Sequence, residues 1–113
     1  MKGPYKLTSD EVGKQVTKTS AGNYALGKVN SESIFIVNYV GRSDDDVKAR
    51  IEDHVGEKYS KFKFSYADSA KSAFLKECRN YHDFGEKEKL NNKVHPDRTK
   101  GKDWQCPKCK IFD

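Results

Sequence analysis

The hydrophobic pattern changes period repeatedly along this chain, and the order of those periods is what most restricts the fold. Residues 23–29 and 34–40 are strand-like, and Ile34-Phe35-Ile36-Val37 in the second is β-branched and aromatic. The turn-rich Asn30-Ser31-Glu32-Ser33 between them predicts an antiparallel hairpin. A period near 3.6 then takes over: Val47, Ile51 and Val55 recur every fourth residue. Ser43 offers a capping hydroxyl, and Asp44, Asp45 and Asp46 sit at the positive end of the helix dipole, which predicts a helix over 44–56. Strict alternation returns in Lys61-Phe62-Lys63-Phe64-Ser65-Tyr66, which predicts a half-buried strand over 61–67 with its aromatics on one face. A second helix over 70–84 follows, capped by Ser69 and ended by Gly85. The order β-β-α-β-α lacks βαβ repetition, so the class is α+β: a three-stranded antiparallel sheet flanked by helices.

A chain of 113 residues makes one small domain. Hydrophobic and charged residues each make up 35%, so the core is thin and an added staple would help. Aromatics at 12% exclude a solvating disordered tail. No apolar run approaches the roughly 20 residues a membrane helix needs. Met1-Lys2-Gly3-Pro4-Tyr5 has no leader-like apolar stretch, so the expectation is a cytoplasmic protein. Residues 1–20 read as a polar arm, 21–92 as the body and 93–113 as a tail. Lysine and arginine total 22 against 17 acidic residues, a net charge of +5 that favours a polyanionic partner, nucleic acid above all.

Three cysteines are an odd number, and Cys106-Pro107-Lys108-Cys109 is a C-x2-C knuckle of the kind that binds metal. Cys78 and His82 share one face of the second helix at i, i+4. With Cys106 and Cys109 they predict a closed, structural Cys3His zinc site that staples the tail across that helix. His95, eleven residues before Cys106, is the rival fourth ligand.

Glu77 stands in the wrong place for a surface residue. At 100° per residue it lies within about 60° of Ala70, Ala73, Phe74, Tyr81 and Phe84, in the middle of the apolar stripe. A buried carboxylate needs a paired arginine or tyrosine, or a cation. On the preceding helix Arg50 and His54 share a face, where a guanidinium can reach a phosphate. Tyr24 and Tyr39 lie on the two hairpin strands.

Taken in order, these residues resemble the GIY-YIG nuclease domain family. Gly22-Asn23-Tyr24 is similar to the first half of that motif, and Tyr39-Val40-Gly41, at the end of the next strand, to the second. Arg50 and His54 follow in the next helix, Glu77 in the helix after that, and a closing asparagine, Asn91 or Asn92, near the end of the body. The middle residue of the first motif departs from the pattern: Asn23 stands where an apolar residue is usual. The resemblance implies hydrolysis of phosphodiester bonds in nucleic acid, DNA ahead of RNA, with one Mg2+ or Mn2+ on Glu77. It implies that Tyr24 orients or activates the attacking water and that Tyr39 supports that water. It implies that Arg50, with His54 beside it, stabilises the phosphate, while Arg42 and the asparagines contact substrate.

Overall fold

In the computed structural model, which describes residues 1–111, eight elements follow one another. They are β1 (Lys2–Lys6), α1 (Ser9–Gln15), β2 (Gly22–Val29), β3 (Phe35–Ser43), α2 (Val47–Glu52), β4 (Lys61–Tyr66), α3 (Ala70–Asp83) and α4 (Glu86–Lys89). The class is α+β as expected, but the sheet has four antiparallel strands in the order β1-β4-β2-β3 rather than three. Residues 112–113, the end of the expected tail, lie outside the described residues.

The extra strand comes from the segment read as a polar arm. Lys2–Lys6 pairs with β4 at the sheet edge, where a proline such as Pro4 is tolerated because one side of an edge strand needs no ladder donor. Its single inward aromatic, Tyr5, packs against Phe62 with ring centroids 5.6 Å apart. The arm then forms α1. Thr8 caps it by accepting the Glu11 N–H at 3.2 Å, and Leu7, Val12 and Val16 enter the core.

The remaining boundaries move for local reasons. β3 runs on to Ser43, so Tyr39-Val40-Gly41 sits inside the strand and not at its end. Ser43 is consequently not the α2 cap. Its hydroxyl accepts the N–H groups of Asp45 and Asp46, and Asp46 caps the helix through the Ala49 N–H. The helix itself covers 47–52 instead of 44–56. Asn30 Oδ1 takes the N–H groups of Glu32 and Ile34 in the hairpin turn, which leaves Ile34 half exposed and outside the strand. Gly85 ends α3 in a left-handed conformation (φ +102°) as the sequence predicts, but Phe84 points outward and does not extend the stripe.

Alternate residues of β2 serve opposite faces. Tyr24 and Leu26 join Phe62 and Phe64 under α1 and α2, where Val12, Val16, Val47 and Ile51 complete the main core. On the other face α3 crosses β2 and β3, where Ala25, Val40, Tyr81 and Leu90 form a smaller buried cluster with Phe35 and Val37 packed against it. No helix among the described residues is long and apolar enough to cross a membrane.

Candidate active site and metal centre

At the outer edge of β3 many of the residues read from the sequence converge. Tyr24, Tyr39, Arg42, Arg50, Glu77 and Asn92 line one cleft of about 540 Å3. They arrive from β2, β3, α2, α3 and the segment after α4. The Tyr24 ring reaches the cleft by lying directly on Gly41: a Cβ there would stand 2.3 Å from the Tyr24 hydroxyl. The glycine of Tyr39-Val40-Gly41 is therefore a space requirement, since the residue faces Tyr24 across the ladder.

Tyr24 and Tyr39 stack with ring centroids 6.4 Å apart, and His54 lies against both rings. Its Nε2 is 3.1 Å from the Tyr24 hydroxyl, and its Nδ1 is 2.8 Å from the Glu57 carboxylate. A carboxylate on Nδ1 holds the Nδ1–H tautomer, which turns the Nε2 lone pair toward the phenol. Glu57 escaped the sequence reading; the signal was a carboxylate three residues after His54. Burial raises the Tyr24 hydroxyl far above its usual range, Tyr39 adds to the rise, and Arg50 opposes it. Tyr39 is raised too, again chiefly by burial. At neutral pH both are phenols.

Glu77 is buried, as its place in the stripe predicts, and it has an arginine partner. Arg42 Nη1 donates to Glu77 Oε1 at 2.7 Å while Nε donates to Asp44 at 2.9 Å. The guanidinium also rests on the Phe74 ring, 5.1 Å from its centroid. Burial pushes the Glu77 carboxyl above the ordinary range, against the pull of Arg42. Arg42, read from the sequence as a substrate contact, is first of all the partner of Glu77, and it still lines the cleft. Arg50 is exposed at the rim.

The two candidate closing asparagines separate. Asn92 is buried, and its amide pairs with both the N–H and the C=O of Val40, at 2.9 and 2.8 Å, like one residue of a fifth strand. Asn91 turns away from the cleft and donates to the Tyr59 hydroxyl. The chain then runs along the cleft, where Val94 through Arg98 form a wall. Thr99 fastens that wall by donating to Asp44 at 2.5 Å.

The metal cluster corrects the sequence reading at one ligand. His82, His95, Cys106 and Cys109 bring their donor atoms within 4.8 Å of one another, and the four can hold a metal ion. Cys78 is not among them. It is fully buried in a small core with Phe74 and Cys106, and burial raises its thiol. The rival, His95, takes its place because the tail folds back along α3.

The chemistry of this set suits zinc. His82 gives Nδ1 to Glu86 at 2.8 Å and leaves its buried Nε2 with no hydrogen-bond partner. His95 gives Nδ1 to the Pro96 carbonyl at 2.7 Å, and its Nε2 faces Cys106 and Cys109 at 3.3 and 3.4 Å. Both imidazoles are thus fixed in the tautomer that presents Nε2 to a cation. Burial disfavours the Cys106 thiolate, yet the Lys108 N–H and His95 bring its pKa down to about 6. Tetrahedral zinc with bonds of about 2.0–2.3 Å needs donors roughly 3.3–3.8 Å apart, a small contraction of this cluster.

The chain matches no protein family, no curated protein and no solved structure.

Proposed function

We propose that the protein is a small metal-dependent endonuclease of GIY-YIG type, acting on nucleic acid and on DNA ahead of RNA. The observation that carries this reading is the convergence of Tyr24, Tyr39, Arg50 and Glu77, from four different elements, on one cleft. A Mg2+ or Mn2+ on Glu77, completed by water and substrate phosphate, would polarise the phosphoryl group. Arg50 binds the phosphate at the rim and offsets the charge that builds in the transition state. Tyr24 orients the attacking water and takes its proton in the same step in which it hands its own to His54 Nε2, with Glu57 stabilising the imidazolium and solvent protonating the leaving oxygen, so that Tyr24 stays a phenol throughout. Tyr39 holds the His54 and Tyr24 rings in register by stacking. Arg42 must yield part of its hold on Glu77 when a divalent cation enters, and Asp44 keeps it nearby. Zinc on His82, His95, Cys106 and Cys109 would be structural, since the four protein donors suffice for a closed tetrahedral site.

One observation favours a second reading. The 2.7 Å ion pair between Arg42 and Glu77 satisfies the carboxylate without any metal, as in a zinc-stapled nucleic-acid-binding module that lacks catalysis. Nicking of supercoiled plasmid and of labelled RNA, with and without Mg2+ or Mn2+, separates the two. The nuclease reading requires metal-dependent cleavage that Glu77→Gln removes. Cleavage of neither substrate, or full cleavage by Glu77→Gln, hands the site to the binding module.

A further inference from the structure

The charge of Glu77 is balanced within the protein itself. Its Oε1 accepts from Arg42 Nη1 at 2.7 Å, and the two side chains leave only 11% and 13% of their surface exposed. A pair so enclosed keeps most of its attraction, because little water screens it. Other groups fix the guanidinium where it is: Nε donates to Asp44 at 2.9 Å, Nη2 reaches Thr99 Oγ1 at 3.5 Å, and the plane rests on Phe74. The remaining acids of the cleft are engaged too. Asp44 holds Arg42 and Thr99, Asp45 accepts the Ser43 hydroxyl, and Asp97 accepts the Arg98 N–H. A divalent cation approaching Glu77 in the free protein therefore meets an arginine less than 3 Å from its carboxylate ligand.

A phosphodiester changes that balance at the same spot. A phosphate oxygen that shares a cation with Glu77 lies within about 4 Å of the carboxylate, since each cation–oxygen bond is about 2.1 Å. Arg42 Nη1 is 2.7 Å from that carboxylate, so the same phosphate comes within reach of the guanidinium. Of the five N–H groups an arginine carries, Glu77, Asp44 and Thr99 occupy three, which leaves two for a phosphate. Arginine meets phosphate and carboxylate through the same planar fork, so the exchange of one for the other needs only a pivot about Nε, where Asp44 holds it.

We propose that Arg42 is a latch on Glu77 that a substrate phosphate releases, so that the divalent cation and the phosphodiester bind tightly together and weakly apart. The proposal rests on the nuclease reading of this cleft and adds to it the order in which the site is assembled. With the latch closed, Arg42 repels the cation and cancels its ligand. A phosphate that draws the guanidinium toward itself frees the carboxylate and adds a ligand of its own. The coupling is reciprocal: whatever factor the phosphodiester adds to cation affinity, the cation adds to phosphodiester affinity. Arg42 is thus a positioning residue, acting on the cation through Glu77. The site would hold no divalent cation firmly until substrate is in place.

The test uses the zinc-loaded full chain, Mn2+ as the cation and a phosphorothioate DNA duplex, which keeps the backbone charge and resists cutting. Paramagnetic broadening of the backbone signals around Glu77 reports the cation at the site. In the wild type, half-broadening should need at least about tenfold less free Mn2+ when DNA is present, and Mn2+ should tighten DNA binding, read by fluorescence anisotropy, by the same factor. Arg42→Gln should take up Mn2+ without DNA about tenfold more tightly than the wild type and gain less from DNA, as expected when a like charge beside the ligand is removed. If Arg42→Gln fails to fold, the side-chain N–H signals of Arg42 in the wild type decide. They should shift when DNA and diamagnetic Mg2+ are added together and stay in place with Mg2+ alone. Equal Mn2+ affinity with and without DNA, wild-type Mn2+ affinity in DNA-free Arg42→Gln, or unmoved Arg42 signals with both ligands present would overturn the latch while leaving the nuclease reading in place. Broadening that reaches Glu77 in neither state would remove both.

Discussion

At Gly41 a single methyl group decides whether Tyr24 can reach the cleft. An added Cβ would stand 2.3 Å from the Tyr24 ring tip, and Tyr24 is itself fully buried, so neither side can yield cheaply. Gly41→Ala is expected to cost about 1–3 kcal/mol in urea denaturation and to lower cleavage by moving the phenol. Gly13→Ala, on the exposed face of α1 with nothing within 4 Å, should instead stabilise by about 0.5–1 kcal/mol. Glu57→Gln keeps the shape of the carboxylate but not its charge. Cleavage should drop about tenfold or more while the melting temperature holds, because the half-exposed Glu57 acts only through His54. Asp44 supplies a pH dependence. Burial works against its charge, but Thr99 and Arg42 prevail and hold its carboxyl below the usual range. A lowered folded-state value means stability that is present above the ordinary carboxylate pKa and lost as pH falls through the lower folded value. The acid limb of a melting-temperature profile should therefore flatten in Asp44→Asn.

At the scale of elements, α3 organises both sites, because one helix presents Glu77 to the cleft and His82 to the metal cluster. Cys78 on α3 and His95 in the tail make opposite predictions. Cys78→Ala should retain about one zinc per chain by elemental analysis, since Cys78 packs beside the cluster without joining it. His95→Ala should lose the zinc, as should Cys106→Ser. The reverse ranking would return Cys78 to the ligand set. α1 is short, and its cap does much of the work of holding it. Thr8→Ala should cost about 1 kcal/mol of global stability, measurable by chemical denaturation, because Val12 and Val16 enter the main core from that helix.

For the whole molecule the metal cluster and the cleft share a wall. His95 belongs to the cluster and also lines the cleft, and the segment from Val94 to Arg98 is fastened by the cluster at one point and by Thr99 and Asp44 at the other. Chelation should raise hydrogen exchange across 93–111 and lower cleavage, while β2 and β4 stay protected by the main core. Loss of protection throughout the sheet would mean that zinc holds the fold as a whole and not the wall. The strands and helices of the body were legible in the sequence because periodicity is local: Phe62 and Phe64 on one face, Val47 and Ile51 on one stripe, Gly85 at a helix end. The buried Glu77 was legible for the same reason, as a charge breaking a stripe. β1 was not, because a polar edge strand draws its stability from the ladder it joins and carries almost no pattern of its own. Whether Glu77 met an arginine or stood alone, whether Cys78 or His95 completed the cluster, and whether Asn91 or Asn92 turned inward all depended on how distant segments meet. The spacing of residues along a chain sets which side chains share a face; only the packing of one face on another sets which of them touch.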